Sequence, residues 1–431
     1  MPRNKTIRVF EYDEIKQGHQ YDGVLFEERD LHAIQRFNDK NKHRYFTLTH
    51  NGVKFNSYVG VIQIGRVTIE VLPKADKRIN KDSADEQTKD AWKRILLEML
   101  KKSGMINMVS LTHADLKLRN TSLLDLYINH FLNEVEAILR HGLVKHYRQN
   151  KGNVLALKGR MLFHQQITKN RLHKERFFTE HQVYDYNHIV NQILMKALDV
   201  LERLPNSSLY LDRILRLKMA FPELEDVHVN ESTFKRLQLN RKTQSYSRSL
   251  QLAKLIILNY SPDIQGGKED VLAILFDMNE LWERYVFKML QKEQKEFNYS
   301  VSYQNRKKFW NNKLIKPDIV LKLGSETLVI DTKWKLVDAN RPSDADLKQM
   351  YTYNMYWEAN KSMLLYPTSE SDLQTDFGKF HIGSPNQQSD ENLCKMGFLN
   401  IWVNEEGGVR LKDKIANDVL SQFEFENLYK P

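Results

Sequence analysis

The chain is 431 residues long and carries a formal net charge of +10, with 65 lysines and arginines against 55 acids. That length exceeds what one core organises, so two or three domains are expected, and the basic excess suits a polyanion such as nucleic acid. A single cysteine, Cys394, excludes an intrachain disulfide framework and a cysteine-built zinc site. No apolar run is long enough to span a membrane, and no signal-peptide core follows the polar start Met1-Pro2-Arg3-Asn4-Lys5, so a cytoplasmic location without membrane contact is expected.

In chain order, residues 6 to about 74 read as strands rich in β-branched and aromatic side chains, at 7–12, 45–49, 58–64 and 67–72. Asn51-Gly52 and Gly65-Arg66 are turn signals between them, and together they predict a small antiparallel sheet or barrel. Residues 75–90 are almost wholly polar and read as an exposed loop. Helical spacing then takes over, with one stripe of Trp92, Ile95, Leu96, Met99 and Leu100 and another of Leu123, Leu126, Tyr127, Phe131, Val135 and Leu139. Further helices are predicted near 187–204 and 209–220, with a β insertion around 154–163. Arg160, Lys169, Arg171, Lys174 and Arg176 make this middle region basic, which reads equally as a nucleic-acid contact and as a solvated face. The histidines show no ligand pattern.

Toward the C-terminus a strand is expected near 299–303, then a basic loop holding Arg306, Lys307, Lys308, Phe309, Trp310 and Lys313. Cations beside exposed aromatics suit a DNA-backbone contact, and a decorated hairpin is the other reading. More strands follow at 362–366 and 398–403. The predicted architecture is therefore a multidomain α+β chain. A β-rich part covers 1–117, a mainly helical part 118–261, and an α/β part with a mixed sheet 262–431.

The most informative stretch is KPDIVLKLGSETLVIDTKWK, Lys316 to Lys335. Two short apolar runs joined through Gly324-Ser325 read as a hairpin that carries Asp318 at one end and Asp331 and Lys333 at the other. Side chains alternate along a strand, so Asp331 and Lys333 share a face while Leu328 and Ile330 point the other way. Two carboxylates suit Mg²⁺, a hard cation held by oxygen ligands, and a lysine beside them suits water activation and charge stabilisation at phosphorus. A D-x-K triplet alone is unspecific, and Asp346-Leu347-Lys348 is another. Upstream, Leu275, Met278, Trp282, Tyr285 and Met289 predict a helix with Glu283 at the margin of its apolar stripe. Downstream, a helix starting near Asp346 places Gln349 and Tyr353 four apart on one face, where an amide and a phenol suit phosphate or base edges.

The order of acid-bearing helix, P-D strand, D-x-K strand and Q-x-x-x-Y helix resembles the PD-(D/E)XK nuclease superfamily in its exonuclease-like branch. More narrowly, the chain resembles the McrC family, nuclease subunits of McrBC-type and LlaJI-type GTP-dependent restriction systems. The matching residues are Leu281 to Val286, Lys316 to Leu321, Val329 to Lys335 and Asp346 to Tyr353. Gly60-Val61-Ile62, Ile69 to Lys74, Leu157 to Met161 and Asn191 look like the family's signatures outside the nuclease. Trp282 stands where a phenylalanine is expected.

What the resemblance implies is a Mg²⁺-dependent DNA endonuclease subunit, with Mn²⁺ as the alternative ion. Asp318 and Asp331 would be metal ligands, Glu283 would complete the acidic shell, and Lys333 would handle the water or the transition-state charge. Gln349 and Tyr353 would position DNA. It further implies a separate McrB-like AAA+ GTPase ring, on which this subunit docks through its N-terminal part, and double-stranded DNA as substrate. The chain has no G-x-x-x-x-G-K-[ST] loop, so it is not expected to bind or hydrolyse nucleotide itself. Two rivals remain: a stand-alone repair or phage-defence nuclease without a GTPase, and a non-enzymatic DNA-binding or motor-activating adaptor.

Overall fold

The structure is a computed structural model that describes residues 5–74, 86–106, 122–204, 210–262, 270–335, 341–368, 373, 375–381, 388–405 and 408–424. The chain forms two compact units. One comprises Met1–Ile62, Val67–Leu123 and Leu275–Pro431, and the other Gln63–Arg66 and Leu124–Ile274.

In the first unit, Lys5–Phe10 lies in parallel beside Val67–Leu72, in register from Lys5↔Val67 to Phe10↔Leu72. An antiparallel sheet or barrel was expected here, and the parallel pair corrects it. The signal that was missed is the helix Glu28–Lys40, which lies in the connection between these strands. Leu31, Ile34 and Phe37 recur at helical spacing and are buried, and Asp30 accepts the Glu27 N–H at the helix start. A parallel pair requires a long crossover, and this helix is part of it. The antiparallel expectation holds for a smaller sheet ordered Glu14–Lys16, Gly52–Phe55, Phe46–Thr49, whose last two strands turn through His50-Asn51, one residue ahead of the expected Asn51-Gly52. Residues 86–90, expected in a loop, open the helix Glu86–Lys102; 75–85 lie outside the described residues.

The C-terminal part of this unit is a six-stranded mixed sheet. Its order is Ser300–Tyr303, Ile319–Leu323, Glu326–Thr332, Lys361–Thr368, Gln388–Asn400, Gly378–His381. The predicted hairpin is present, Ile319 opposite Ile330 and Leu323 opposite Glu326, with Gly324 at φ +59 in the turn. Glu326–Thr332 then pairs in parallel with Lys361–Thr368. The connection between those two strands contains the helix Asp344–Trp357, whose Met350, Tyr353 and Trp357 sit on a core of Val320, Val329, Leu364 and Phe398. The helix Met278–Glu293 packs against Ser300–Tyr303 and Glu326–Thr332. Leu275 and Phe276, read as helical, belong instead to the strand Val271–Asp277, and Asp277 caps the helix by accepting the Asn279 N–H. The strand predicted at 398–403 is interrupted: one strand ends at Asn400, and Trp402–Glu405 pairs with Gly408–Leu411.

The second unit holds helices Ile189–Arg203, Leu211–Ala220 and Ser247–Leu258, together with most of Leu123–His141. Its β element is longer than the predicted insertion: His146–Val154 and Phe177–Asp185 pair along nine residues, and Arg160–Met161 joins the edge. The first of these strands reads HYRQNKGNV, so it lacks the apolar alternation that announces a strand. Gly159 has φ +66 and a Cβ there would stand 2.4 Å from the Glu180 carbonyl oxygen, so the turn requires glycine. Asn191 is wholly buried and structural: its amide donates to the Val144 and Tyr186 carbonyls and accepts from the Tyr246 hydroxyl. No helix among the described residues is long and apolar enough to cross a membrane.

Candidate active site

The hairpin delivers its charged residues to the ends of two interior strands of the mixed sheet. Asp318 stands at the mouth of its strand, and its Oδ2 accepts the Thr332 N–H at 2.7 Å and the Thr332 hydroxyl at 2.8 Å. Those bonds fix the carboxylate against the end of the neighbouring strand, where Asp331 lies buried. Lys333 follows, its N–H bonded to the Leu365 carbonyl at 2.9 Å, so the chain is held where the strand ends. Its ammonium sits 2.7 Å from Asp331 Oδ2 and 3.0 Å from Asp346 Oδ1.

Gln349 and Tyr353 meet this group from the helix above, as their spacing predicts. The Gln349 amide donates to the Tyr353 oxygen at 2.7 Å and to Asp331 Oδ1 at 3.4 Å, and its oxygen lies 3.4 Å from the Lys333 ammonium. The Tyr353 hydroxyl donates to the Lys316 carbonyl at 2.7 Å, which ties the helix to the residue preceding Pro317-Asp318. Glu283 stands at the side of the group. Its Oε1 accepts from the Gln304 amide at 2.8 Å, and it is near enough to raise the pKa of Asp318.

The electrostatics distinguish the site. Burial pushes Asp318 up, and the charge of Glu283 pushes it further, against the two Thr332 bonds. Burial raises Asp331 too, then the charge of Asp318, with Lys333 opposing. Glu283 is raised by burial, and the Asp331 charge adds to this. Burial alone would lower Lys333, but Asp331 and Asp346 outweigh it and hold the ammonium charged. Three acids thus repel one another, with Lys333 opposing at Asp331 and Lys316 at Glu283.

Among the described residues, no three His, Cys, Asp or Glu side chains stand close enough to form a ready-made metal cage. The donor set fits a more open site. Asp331 Oδ2 is buried, and the Lys333 ammonium 2.7 Å away meets it as an ion pair. A buried anionic oxygen beside a second buried carboxylate suits Mg²⁺, which takes one or two carboxylates and completes its shell with waters and phosphate oxygens. Asp318 and Asp331 are the two first candidates, with Glu283 flanking them.

Sequence reasoning missed the residues that brace this site. Trp282 is buried, and its indole N–H donates to the Leu365 carbonyl at 3.3 Å, the same oxygen that holds Lys333. The indole therefore has a hydrogen-bonding duty that phenylalanine would lack. Trp334 meets Trp282 edge-on at 5.6 Å and donates from its indole to Glu11 Oε1 at 2.5 Å. Glu11 also accepts the Lys74 N–H at 2.8 Å, and burial pushes its pKa up to about 8. An acid at the end of the first strand thus touches the residue after Lys333. Asp346, seen in the sequence only as part of a second D-x-K, is the other anchor of the lysine. A local pattern cannot report any of these contacts, because the partners are 83 and 323 residues apart for the two indoles.

The fold and the site define a mixed α/β protein that presents a lysine among buried, mutually repelling carboxylates at the ends of interior sheet strands. The family described as the McrBC 5-methylcytosine restriction system component matches residues 53–367. The chain belongs to that family, and the resemblance to McrC read from the sequence holds. Its fold is similar to a chain of the refined half-complex of the tetradecameric assembly of Thermococcus gammatolerans McrB AAA+ hexamers with bound McrC. That likeness has a TM-score of 0.66 at 18% identity and covers 97% of this chain and 99% of the other. A second similar chain comes from the cryo-EM structure of the Thermococcus gammatolerans McrBC complex, with a TM-score of 0.49, 19% identity, and 67% and 88% coverage of the two chains. No curated protein matches the chain.

Proposed function

We propose that this chain is the McrC-like nuclease subunit of a McrBC-type restriction complex, a Mg²⁺-dependent endonuclease with a PD-(D/E)XK core. The observation that carries this reading is the pair of buried aspartates, Asp318 and Asp331, raised first by burial and then by a neighbouring carboxylate, Glu283 for Asp318 and Asp318 for Asp331, with Lys333 2.7 Å from Asp331. A structural acid pair left in that state would be a standing cost, and a divalent cation removes it.

Asp318 and Asp331 would hold the ion, which supplies polarisation of the scissile phosphate and of a bound water. The Lys333 ammonium, paired with Asp331 and Asp346, would stabilise the charge that builds on the scissile phosphate. Gln349 orients Asp331 and Lys333 together, one through its amide and the other through its oxygen. Glu283, held by Gln304, closes the side of the site and would offer a carboxylate to a water. Net, a water adds to phosphorus, one P–O bond breaks, and the leaving oxygen takes a proton. Double-stranded DNA is the substrate.

By the same reading an AAA+ GTPase is a separate polypeptide, and this chain docks on it through the part preceding residue 117. A specific observation favours a second docking surface in the other unit. Leu155, Leu157, Phe163, Ile167 and Leu172 are exposed on and beside the long β ribbon, from 57% to 90%, a concentration of apolar surface that suits a protein contact. In the N-terminal part Tyr12 is an exposed aromatic, so pull-downs with the GTPase that compare the full chain with Leu155→Ser/Phe163→Ser and with Tyr12→Ser separate the two surfaces. The nuclease reading itself is tested by Asp331→Ala: cutting should vanish while the chain still binds the GTPase and raises its turnover. Full cutting by that variant refutes the site.

A further inference from the structure

The basic loop between the acid helix and the catalytic hairpin folds as a ribbon of its own. Lys307–Trp310 pairs antiparallel with Lys313–Ile315, with a bulge between Lys308 and Trp310. It forms a separate two-stranded sheet, so neither strand extends the mixed sheet. Such isolated ribbons are marginal in water unless something braces them.

One face is braced. The Lys307 ammonium donates to the Tyr356 carbonyl and lies over the Trp357 ring at 5.1 Å, and Phe309 meets Tyr356 at 5.8 Å between centroids. Tyr356 and Trp357 end the helix that carries Gln349 and Tyr353. The roots of the ribbon are fixed as well. Gln304 bonds Glu283 through its amide and the Asp318 carbonyl through its N–H, and the Lys316 carbonyl receives the Tyr353 hydroxyl. Ribbon and catalytic group therefore hang from one set of bonds.

The rest of the ribbon is open. The bulge between Lys308 and Trp310 interrupts the alternation of side chains, so Trp310 sides with its partner Lys313 and Lys308 with Leu314. Lys308 is paired with Leu314 and Trp310 with Lys313, whose ammonium lies 5.6 Å from the indole centre. Trp310 is 61% exposed and Leu314 51%, and every residue of Lys307–Trp310 is exposed. An exposed ribbon that carries Trp310 beside Lys313, with Lys308 exposed as well and its roots bonded to the acidic catalytic group, is complementary to a polyanion.

We propose that this ribbon is a DNA-gripping arm, with Lys308 and Lys313 on the backbone and Trp310 against the duplex a few base steps from the cut. The inference rests on the nuclease reading and adds to it where the substrate is held. A four-residue strand spans about 13 Å, so the indole reaches about three to four base steps of about 3.4 Å from the scissile phosphate. A two-stranded ribbon fits the major groove, where lysines reach phosphates and an indole lies against base edges without unstacking them. The arm therefore supplies grip and distance, while sequence or modification is read elsewhere.

The test uses the full chain, with the Asp331→Asn background for binding and the wild-type site for cutting. Duplexes carry 2-aminopurine at successive positions from the cleavage point. The expected result is a fluorescence change confined to about three or four steps from the cut. Trp310→Ala should abolish that signal and weaken duplex binding about tenfold, whereas Trp310→Phe should restore most of both. Lys308→Ala/Lys313→Ala should lower the slope of log affinity against log salt by about 0.9 per lysine. Melting temperature, checked for each variant, should stay unchanged because these side chains are exposed. Wild-type affinity and slope in both ribbon variants would overturn the arm, even with Asp331 proven essential for cutting. Loss of GTPase docking with DNA binding intact would overturn it as well, in favour of a protein contact. If Asp331→Ala still cuts, the nuclease site falls, and the salt slope and the 2-aminopurine map still judge the ribbon by themselves.

Discussion

Two groups of buried acids in the same compact unit differ in how their charge is answered. Glu70, in the middle of Val67–Leu72, is wholly buried and fully met: Lys93 bonds both of its oxygens at 2.9 and 3.2 Å, the Leu123 N–H donates at 2.6 Å, and Arg8 lies 3.4 Å away. Arg8 in turn bonds Glu86 and Asp90, so the whole cluster alternates in sign. Asp318, Asp331 and Glu283 repel one another, with Lys333 against Asp331 and Lys316 opposing at Glu283. Burial is common to both groups, so burial does not set the candidate site apart. What sets it apart is like charge met only in part, which the proposed divalent cation would relieve.

The largest expected contrast is between Glu70→Ala and Asp331→Ala. The first removes the buried carboxylate that bonds Lys93 and the Leu123 N–H, while Arg8 keeps Glu86 and Asp90, and should cost roughly 3–5 kcal/mol in chemical denaturation. The second removes one of several repelling charges, so the metal-free protein should melt no lower than wild type while cutting disappears. Equal destabilisation by both changes would erase the distinction.

Mg²⁺ should sharpen it next. Protons compete with the ion for carboxylates whose pKa values are raised, so the rise in melting temperature on adding Mg²⁺ should grow as pH increases from about 5 to 8. Asp318→Asn should remove most of that rise, and Glu70 should be irrelevant to it. A pH-independent shift, or one that survives Asp318→Asn, would place the ion elsewhere.

Glu11 lies between the two groups in character, a buried acid with hydrogen bonds and a pKa pushed up to about 8. In the folded chain it is protonated at pH values where the unfolded chain, at the ordinary value of 4.5, has already lost the proton. Stability from this group is therefore full below about pH 4.5 and declines as pH rises toward 8. Glu11→Gln keeps an acceptor for the Trp334 indole and cannot ionise, so its melting temperature should fall less than wild type over that window. An identical pH profile would show that Glu11 ionises without penalty.

The smallest effect is assigned to Gln349→Ala, which removes an orienting amide and leaves both candidate ligands and the lysine in place. Cutting should slow by about tenfold with little change in DNA affinity, read as turnover against half-saturation. A loss as complete as that of Asp331→Ala would give Gln349 a direct role.

The candidate site was largely legible, and the reason is local. Asp318, Asp331 and Lys333 lie on one hairpin announced by two apolar runs and Gly324-Ser325, and Gln349 and Tyr353 are one helical turn apart. Spacing of that kind fixes which side chains share a face. The fold was less so. The parallel pairing of Lys5–Phe10 with Val67–Leu72 joins segments about sixty residues apart, and a strand's own composition does not say which neighbour it takes. The ribbon His146–Val154 with Phe177–Asp185 escaped because both of its faces meet water, so no hydrophobic period marked it.

By itself, then, the sequence determined the chemistry on offer: which acids and which lysine one hairpin can present, because alternation and turn residues act within a few positions. Only the tertiary structure decided what each buried charge means. It set Glu70 against Lys93, Trp334 against Glu11 and Lys333 against Asp346, and it left Asp318 and Asp331 facing each other. Those pairings depend on long-range closure of the chain, and electrostatic energy depends on distance and burial rather than on position in the sequence.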